Sequence, residues 1–447
     1  MTDLDSAVWP ISVSRTPAGV LAVGGIDADA LAAEHGTPVW VVDEADFRAR
    51  AAAFREAFTA AFAPIGAAVD VYYAGKAFLC TAVARWVTQE GLGLDTCSAG
   101  ELAVAIRAGV PGPRIGIHGN NKSDGEIARA LEYGAGRIVL DSTAEIARVA
   151  DAAARRGVRA PVMLRITTGV HAGGHEFIAT AHEDQKFGVS MAGDQALAAL
   201  VDILARPELD LLGIHCHIGS QIYDVAAFEA TARRMLELRA QLVAATGVLL
   251  AAVDLGGGYG ISYLPGEPAL PISVAAQAIA DTVGTACQEL GTPVPRISIE
   301  PGRAIAGPST FTLYRVGVVK PVTLEDGTLR TYVSVDGGMS DNPRPIMYGA
   351  EYTAVIANRV SGAAPALCRV VGKHCETGDI VIRDIRLPGD VAPGDLLAVP
   401  GTGAYGRSMA SNYNLVPRPP VVSVRDAASR VIVRRETVAD LLALDVD

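Results

Sequence analysis

Between about residues 70 and 300, short apolar or β-branched runs alternate with longer stretches rich in Ala, Leu, Glu and Arg. Such runs fit buried strands, and the stretches between them favour helix. The runs fall at 71–74, 92–95, 114–117, 137–140, 162–166, 211–214, 252–255 and 296–299. Helices are predicted between them, among others over 99–108, 123–132, 143–156 and 226–244. Eight strand-and-helix units predict a (β/α)8 barrel, with a doubly wound sheet as the competing arrangement.

The ends of the runs favour the barrel. Nearly every run ends in something reactive or Gly-rich: Lys76, Asp95, His118-Gly119-Asn120, Asp141-Ser142, Arg165, the segment from His215 to Ser220, Gly256-Gly257-Gly258, and Glu300-Pro301-Gly302-Arg303. Barrel enzymes carry their chemistry at the carboxyl ends of the strands. After about residue 310 the pattern changes to β-rich segments at 311–319, 330–335, 379–385, 396–400 and 421–424, broken by Gly, Pro and Asp. This predicts a second, all-β domain, a C-terminal barrel or sandwich. The division expected is a barrel over 45–308 with 1–44 and 309–447 in the β-domain; Val39-Trp40-Val41-Val42 reads as a strand of either.

Composition agrees with two domains, since 447 residues at 50% hydrophobic content can bury a large core. The net charge of −11 argues against nucleic acid and anionic lipid as partners. No window holds the run of about 18 uncharged apolar residues that a spanning helix needs, and the acidic start does not resemble a signal segment. A soluble, cytoplasmic protein is expected. Six cysteines, at 80, 97, 216, 287, 368 and 375, lack C-x-x-C spacing, so free thiols are expected, five as core residues and Cys375 in a polar stretch.

Four features carry candidate chemistry. Lys76 lies in Tyr73-Ala74-Gly75-Lys76-Ala77 among small and apolar residues, where an amine is either at the surface or engaged in covalent work. Gly256-Gly257-Gly258 follows the seventh run, where barrels often bind phosphate together with the loop after the eighth, here Gly302 and Arg303. A plain tight turn is the alternative; Ile261 excludes a dinucleotide fingerprint. Glu300 could keep a pyridine nitrogen protonated, or could pair with Arg303 to close the barrel. His217 could stack on a planar ring with Ser220 donating to a phosphate, and strand alternation predicts that only one of His215 and His217 faces the site. No metal is expected there, nor at His171 and His175, whose Gly173-Gly174 neighbours argue against a helix. Lysine, phosphate cradle, carboxylate and stacking ring together satisfy the requirements of pyridoxal phosphate.

With these residues in place, nearly the whole chain resembles the diaminopimelate decarboxylases, in the alanine-racemase-like group of pyridoxal enzymes (fold type III) that also contains ornithine and arginine decarboxylases. The likeness is carried by Tyr73 to Ala77, His215 to Gln221, Gly256 to Ile261, Glu300 to Arg303, Asp336 to Pro345, Tyr348-Gly349-Ala350, Cys375 to Asp379 and Gly403-Ala404-Tyr405. The resemblance implies that Lys76 holds the cofactor as a Schiff base, His217 stacks on its ring and Glu300 meets the ring nitrogen. It implies phosphate binding by Ser220, Gly256, Gly257, Gly258 and Tyr405, and carboxylate binding by Arg303, Arg344 and Tyr348. Cys375, as an acid, and Glu376, reading the distal amine of meso-diaminopimelate, would come from the second subunit of a homodimer with shared active sites.

Three departures stand out: Thr377 replaces the family's usual serine, Tyr259 a common leucine, and Gly173-Gly174 a threonine within the insertion 168–185. The expected reaction is decarboxylation of meso-diaminopimelate to L-lysine and carbon dioxide. The alternatives are a decarboxylase of ornithine, lysine or arginine, a racemase, or an inactive regulator of the same fold. Retention of Lys76 and Cys375 argues against the regulator, and the Cys375-Glu376 segment against the racemase.

Overall fold

The computed structural model describes residues 4–170 and 186–446. They form two compact units: Arg50–Gly260 with Ala269–Gly302, and Met1–Ala49 with Ile261–Pro268 and Arg303–Asp447.

The first unit is the closed parallel barrel that the eight runs predicted. Its strands are β1 (Val69–Ala74), β2 (Gly93–Thr96), β3 (Ile115–Ile117), β4 (Arg137–Leu140), β5 (Ala160–Thr167), β6 (Leu209–His215), β7 (Ala252–Asp254) and β8 (Arg296–Ile299). Each pairs in parallel with the next, and β8 pairs with β1 to close the ring. Helix starts sit just beyond strand ends. Ser98 accepts the Glu101 N–H to begin Ala99–Ala108, and Ser123 forms a reciprocal capping box with Glu126 to begin Asp124–Tyr133. Gly109 and Gly134, both left-handed, stop these helices and return the chain to the next strand.

The second unit is β-rich. Its strands include β9 (Thr310–Thr323), β10 (Leu329–Val335), β11 (Pro365–Val371), β12 (Ile380–Pro388), β13 (Leu396–Pro400), β14 (Val421–Arg425) and β15 (Ala428–Val433). The long β9 changes partners along its length: Thr310 to Leu313 pair with Val39–Asp43, and Val316 to Thr323 pair with β10 after an irregularity. Val39–Asp43 therefore belongs to this unit, seated between β9 and β14. Two apolar cores form here, one around Tyr314, Val333 and Leu397, the other around Leu21, Val41 and Phe311. A fully buried Val or Leu in them contributes about 1.5–3 kcal/mol. Among the described residues, no helix is long and apolar enough to cross a membrane.

Candidate active site

In the barrel unit, Lys76 follows β1 with its side chain exposed. Its charge acts on both His217 and Glu300, so the structure brings these three residues together. The imidazole of His217 lies well below its usual pKa because it is desolvated and because Lys76, Arg165, His215 and His118 are close. The N–H of Gly257 donates to His217 Nδ1 at 3.2 Å.

The glycine loop has a steric reason. Gly256 is left-handed (φ 68°), and a Cβ there would stand 2.4 Å from the Cys216 carbonyl oxygen. A Cβ on Gly257 would stand 2.1 Å from the Glu300 carbonyl oxygen. The loop thus threads backbone against backbone between the ends of β6 and β8. The Gly256 N–H donates to Asp254 at 2.7 Å, while that of Gly258 meets no acceptor among the described residues.

Glu300 sits at the end of β8, 9% exposed, inside a ring of charge. Its Oε1 is 3.2 Å from Arg137 Nη2, 3.3 Å from His118 Nε2 and 3.2 Å from His215 Nε2. Arg137 also pairs with Asp95 at 3.2 Å and Asp254 at 2.7 Å. Burial and the neighbouring Glu300 push Asp254 up to about 6. Burial opposes the charge on Asp95, but His118 and Arg137 together pull it down to about 2. Burial and Asp95 raise Glu300, against the pull of His118, Arg137 and Lys76.

Three buried carboxylates therefore face one guanidinium, and His215 is held well below its usual pKa by burial. The cluster has acceptors in surplus. A protonated ring nitrogen would supply the donor it lacks, and the Gly258 amide would offer a donor for a phosphate. These residues fit pyridoxal phosphate.

Three expectations change here. Both His215 and His217 face the cluster, because β6 ends at His215 and strand alternation stops with it. Cys97 is exposed, leaving four of the six thiols buried. It lies beyond the end of β2, where its Sγ meets Glu101 Oε2 at 3.3 Å. The cation beside Glu300 is Arg137, a residue to which the sequence pattern assigned no role. Its signal was a charged residue opening an apolar run. Gly302 packs on Ala74 and Ala77, where an added Cβ would stand 3.0–3.1 Å from their side chains.

The β-rich unit holds a second cluster. Arg303 Nη1 donates to the Tyr263 hydroxyl at 2.7 Å, and its guanidinium lies 4.7 Å from the Tyr405 ring centroid. Arg344 Nη1 donates to the Tyr352 hydroxyl at 2.6 Å, with its guanidinium 4.4 Å from the Tyr263 ring centroid. Burial opposes the charge on Arg344, yet the phenols of Tyr263 and Tyr352 hold its pKa above the ordinary value. Arg344 is 6% exposed, and no carboxylate among the described residues pairs with it. Tyr348 ends the short helix Arg344–Tyr348 that Arg344 begins. Cys375 and Glu376 are exposed; the Cys375 N–H donates to Asn414 Oδ1 at 3.0 Å, and Glu376 Oε1 accepts the Gly378 N–H at 3.1 Å. Tyr263 and Tyr352 were not anticipated: Tyr263 lies in a stretch expected in the barrel that joins the β-rich unit, and Tyr352 in ordinary β-domain sequence.

Residues 44–307 match the family model described as "Pyridoxal-dependent decarboxylase, pyridoxal binding domain". A diaminopimelate decarboxylase of Mycobacterium tuberculosis is 50% identical over 443 residues, covering 98% of each chain. The chain belongs to the diaminopimelate decarboxylase family. The Bacillus subtilis diaminopimelate decarboxylase is 43% identical over 96% of this chain and 95% of its own. A crystal structure of the M. jannaschii diaminopimelate decarboxylase in complex with L-lysine superposes with a TM-score of 0.91, at 31% identity and 98% coverage of both chains.

Tyr259, where the resemblance leads to the expectation of a leucine, has a visible setting. Its ring stacks on Phe228 at 5.0 Å and meets Phe54 and Phe58 edge-on, beneath the glycine loop. Thr377 is exposed. The pair His171 and His175, and Gly173-Gly174, lie outside the described residues.

Proposed function

We propose that this chain decarboxylates meso-diaminopimelate to L-lysine and carbon dioxide, with pyridoxal phosphate as cofactor. The observation that carries the substrate is Arg344, a buried cation whose hydrogen bond is to a tyrosine and which pairs with no carboxylate among the described residues. A buried guanidinium of this kind favours a carboxylate ligand and penalises substrates without one.

Bound pyridoxal phosphate supplies an electron sink for the pair released when the Cα–carboxylate bond breaks. Lys76 would hold the cofactor covalently through its side-chain amine. His217 would pack on the ring and Glu300 would meet its nitrogen. Ser220, Gly256, Gly257, Gly258 and Tyr405 hold the phosphate, with the Gly258 amide the one whose donor has no described partner. Gly302 lets the loop after β8 pass close to β1. Arg303, Arg344 and Tyr348 hold the substrate carboxylate. Cys375 or Lys76 delivers the proton to Cα after carbon dioxide leaves, and Glu376 meets the distal amine. Cys375 and Glu376 act from the second copy in a cytoplasmic homodimer, so each site draws on both chains.

The direct test is carbon dioxide release from purified protein with added pyridoxal phosphate, offering meso-diaminopimelate, ornithine, lysine and arginine side by side. Release from diaminopimelate alone supports the reading. Release from another of the four would move the substrate.

A further inference from the structure

Arg137 reaches four strands from one position, and the register explains how. Asp95 on β2, Gly116 on β3 and Arg137 on β4 lie abreast on three neighbouring strands. A Cβ on Gly116 would stand 2.2 Å from Asp95 Oδ1 and 3.0 Å from Arg137 Nε. The missing side chain is what lets the guanidinium cross β3 to reach Asp95. From there it meets Asp254 on β7 and Glu300 after β8, lying 3.6 Å from the centroid of the Tyr72 ring.

Each carboxylate so engaged supports another part of the site. Asp95 lies 3.1 Å from His118, which in turn touches Glu300. Asp254, fully buried, accepts the Gly256 N–H at the start of the glycine loop. A buried carboxylate left without its cation takes up a proton and changes its hydrogen bonds.

We propose that Arg137 is a positioning residue for the cofactor: by engaging Asp95 and Asp254 it aims ionised Glu300 at the ring nitrogen and sets the Gly256 loop for the phosphate. The inference rests on the pyridoxal phosphate reading above. The groups facing Glu300 are Asp95, His118, Arg137, His215 and Asp254, with Lys76, Arg165, Cys216 and Tyr259 also interacting with it. Removing the Arg137 charge leaves burial and two anions to raise Glu300 further, so it protonates at higher pH and loses its hold on a ring N–H.

The experiment measures pyridoxal phosphate affinity of the apo full-length chain across pH, with melting temperature alongside. The parent is compared with Arg137→Met, Arg137→Lys and Gly116→Ala. Arg137→Met is expected to raise Kd roughly tenfold or more, as loss of a charge-assisted hydrogen bond does. The acid limb of its affinity profile should move up by about one pH unit. Arg137→Lys should recover part of both effects. Gly116→Ala, which alters no charge, should move both readouts in the same direction by obstructing the Asp95–Arg137 pair. If Arg137→Met does not fold, the other two variants decide. Parent-like Kd and acid limb in the folded variants, whatever happens to melting temperature, would reduce Arg137 to a structural ion pair and overturn the proposal. A parent chain that binds no pyridoxal phosphate overturns the cofactor reading itself.

Discussion

The carboxylate of Asp379 accepts the backbone N–H of Met339 at 2.6 Å. Its other oxygen accepts the N–H of His374 at 2.8 Å, and His374 Nε2 lies 2.8 Å from the Ser340 hydroxyl. One buried side chain thus clasps two loops, the one leading to Arg344 and the one carrying Cys375 and Glu376. Asp379→Ala strands one buried and one half-buried amide and is expected to cost about 2–5 kcal/mol. Asp379→Asn keeps one acceptor and should cost less. In both, KM for diaminopimelate should rise more than kcat falls, because the loops proposed to hold substrate would shift while Lys76 stays in place. Steady-state kinetics with chemical denaturation checks this, and an unchanged KM in a destabilised variant would count against the clasp.

On the proposed reading, Lys76→Ala removes the amine that would hold the cofactor. Turnover should fall on the order of a thousandfold or more, while the fold persists because the side chain is exposed. Carbon dioxide release and circular dichroism on the same sample test it; near-parental turnover would remove Lys76 from the mechanism.

Tyr259 carries a buried hydroxyl that finds no partner among the described residues. Burial and the nearby Asp254 and Glu300 charges raise its pKa well above the ordinary value, so it stays neutral. Tyr259→Phe keeps the stack on Phe228 and removes an unsatisfied polar atom, which should stabilise the chain by about 1 kcal/mol. Calorimetry would read this as a small rise in Tm, and a fall would mean that the hydroxyl holds a partner such as a water.

Asp341 is pushed by burial from 3.8 up to about 7, although the Tyr314 hydroxyl and the Gly338 N–H both donate to it. The folded chain therefore keeps a proton there that the unfolded chain releases. Its contribution to stability is present below the unfolded pKa and declines as pH rises from about 4 to about 7. Asp341→Asn should flatten that decline. Unfolding free energies of the two chains across this range give the comparison, and parallel profiles would contradict the assignment.

The eight barrel strands were legible because each is an apolar run bounded by polar ends, a signal that burial imposes locally. Lys76, Glu300 and the glycine loop were legible for a related reason: a costly amine among apolar residues, a carboxylate ending a strand and three consecutive glycines are each conspicuous without a partner in view. The placement of Val39–Asp43 was not legible, since its pairing with Thr310 to Leu313 spans most of the chain. Nor was the shared direction of His215 and His217, which depends on where β6 stops hydrogen bonding.

By itself, then, the order of residues determined the barrel, the β-rich unit and the chemical types gathered at the strand ends. Only the tertiary structure decided that Arg137 is the cation beside Glu300, that Gly116 makes way for it, and that Tyr263 and Tyr352 bank the Arg344 guanidinium. Hydrophobic periodicity is read along the chain over a few residues, whereas these contacts join strands and loops tens to hundreds of residues apart. Charge pairing inside a barrel depends on which side chains closure brings abreast.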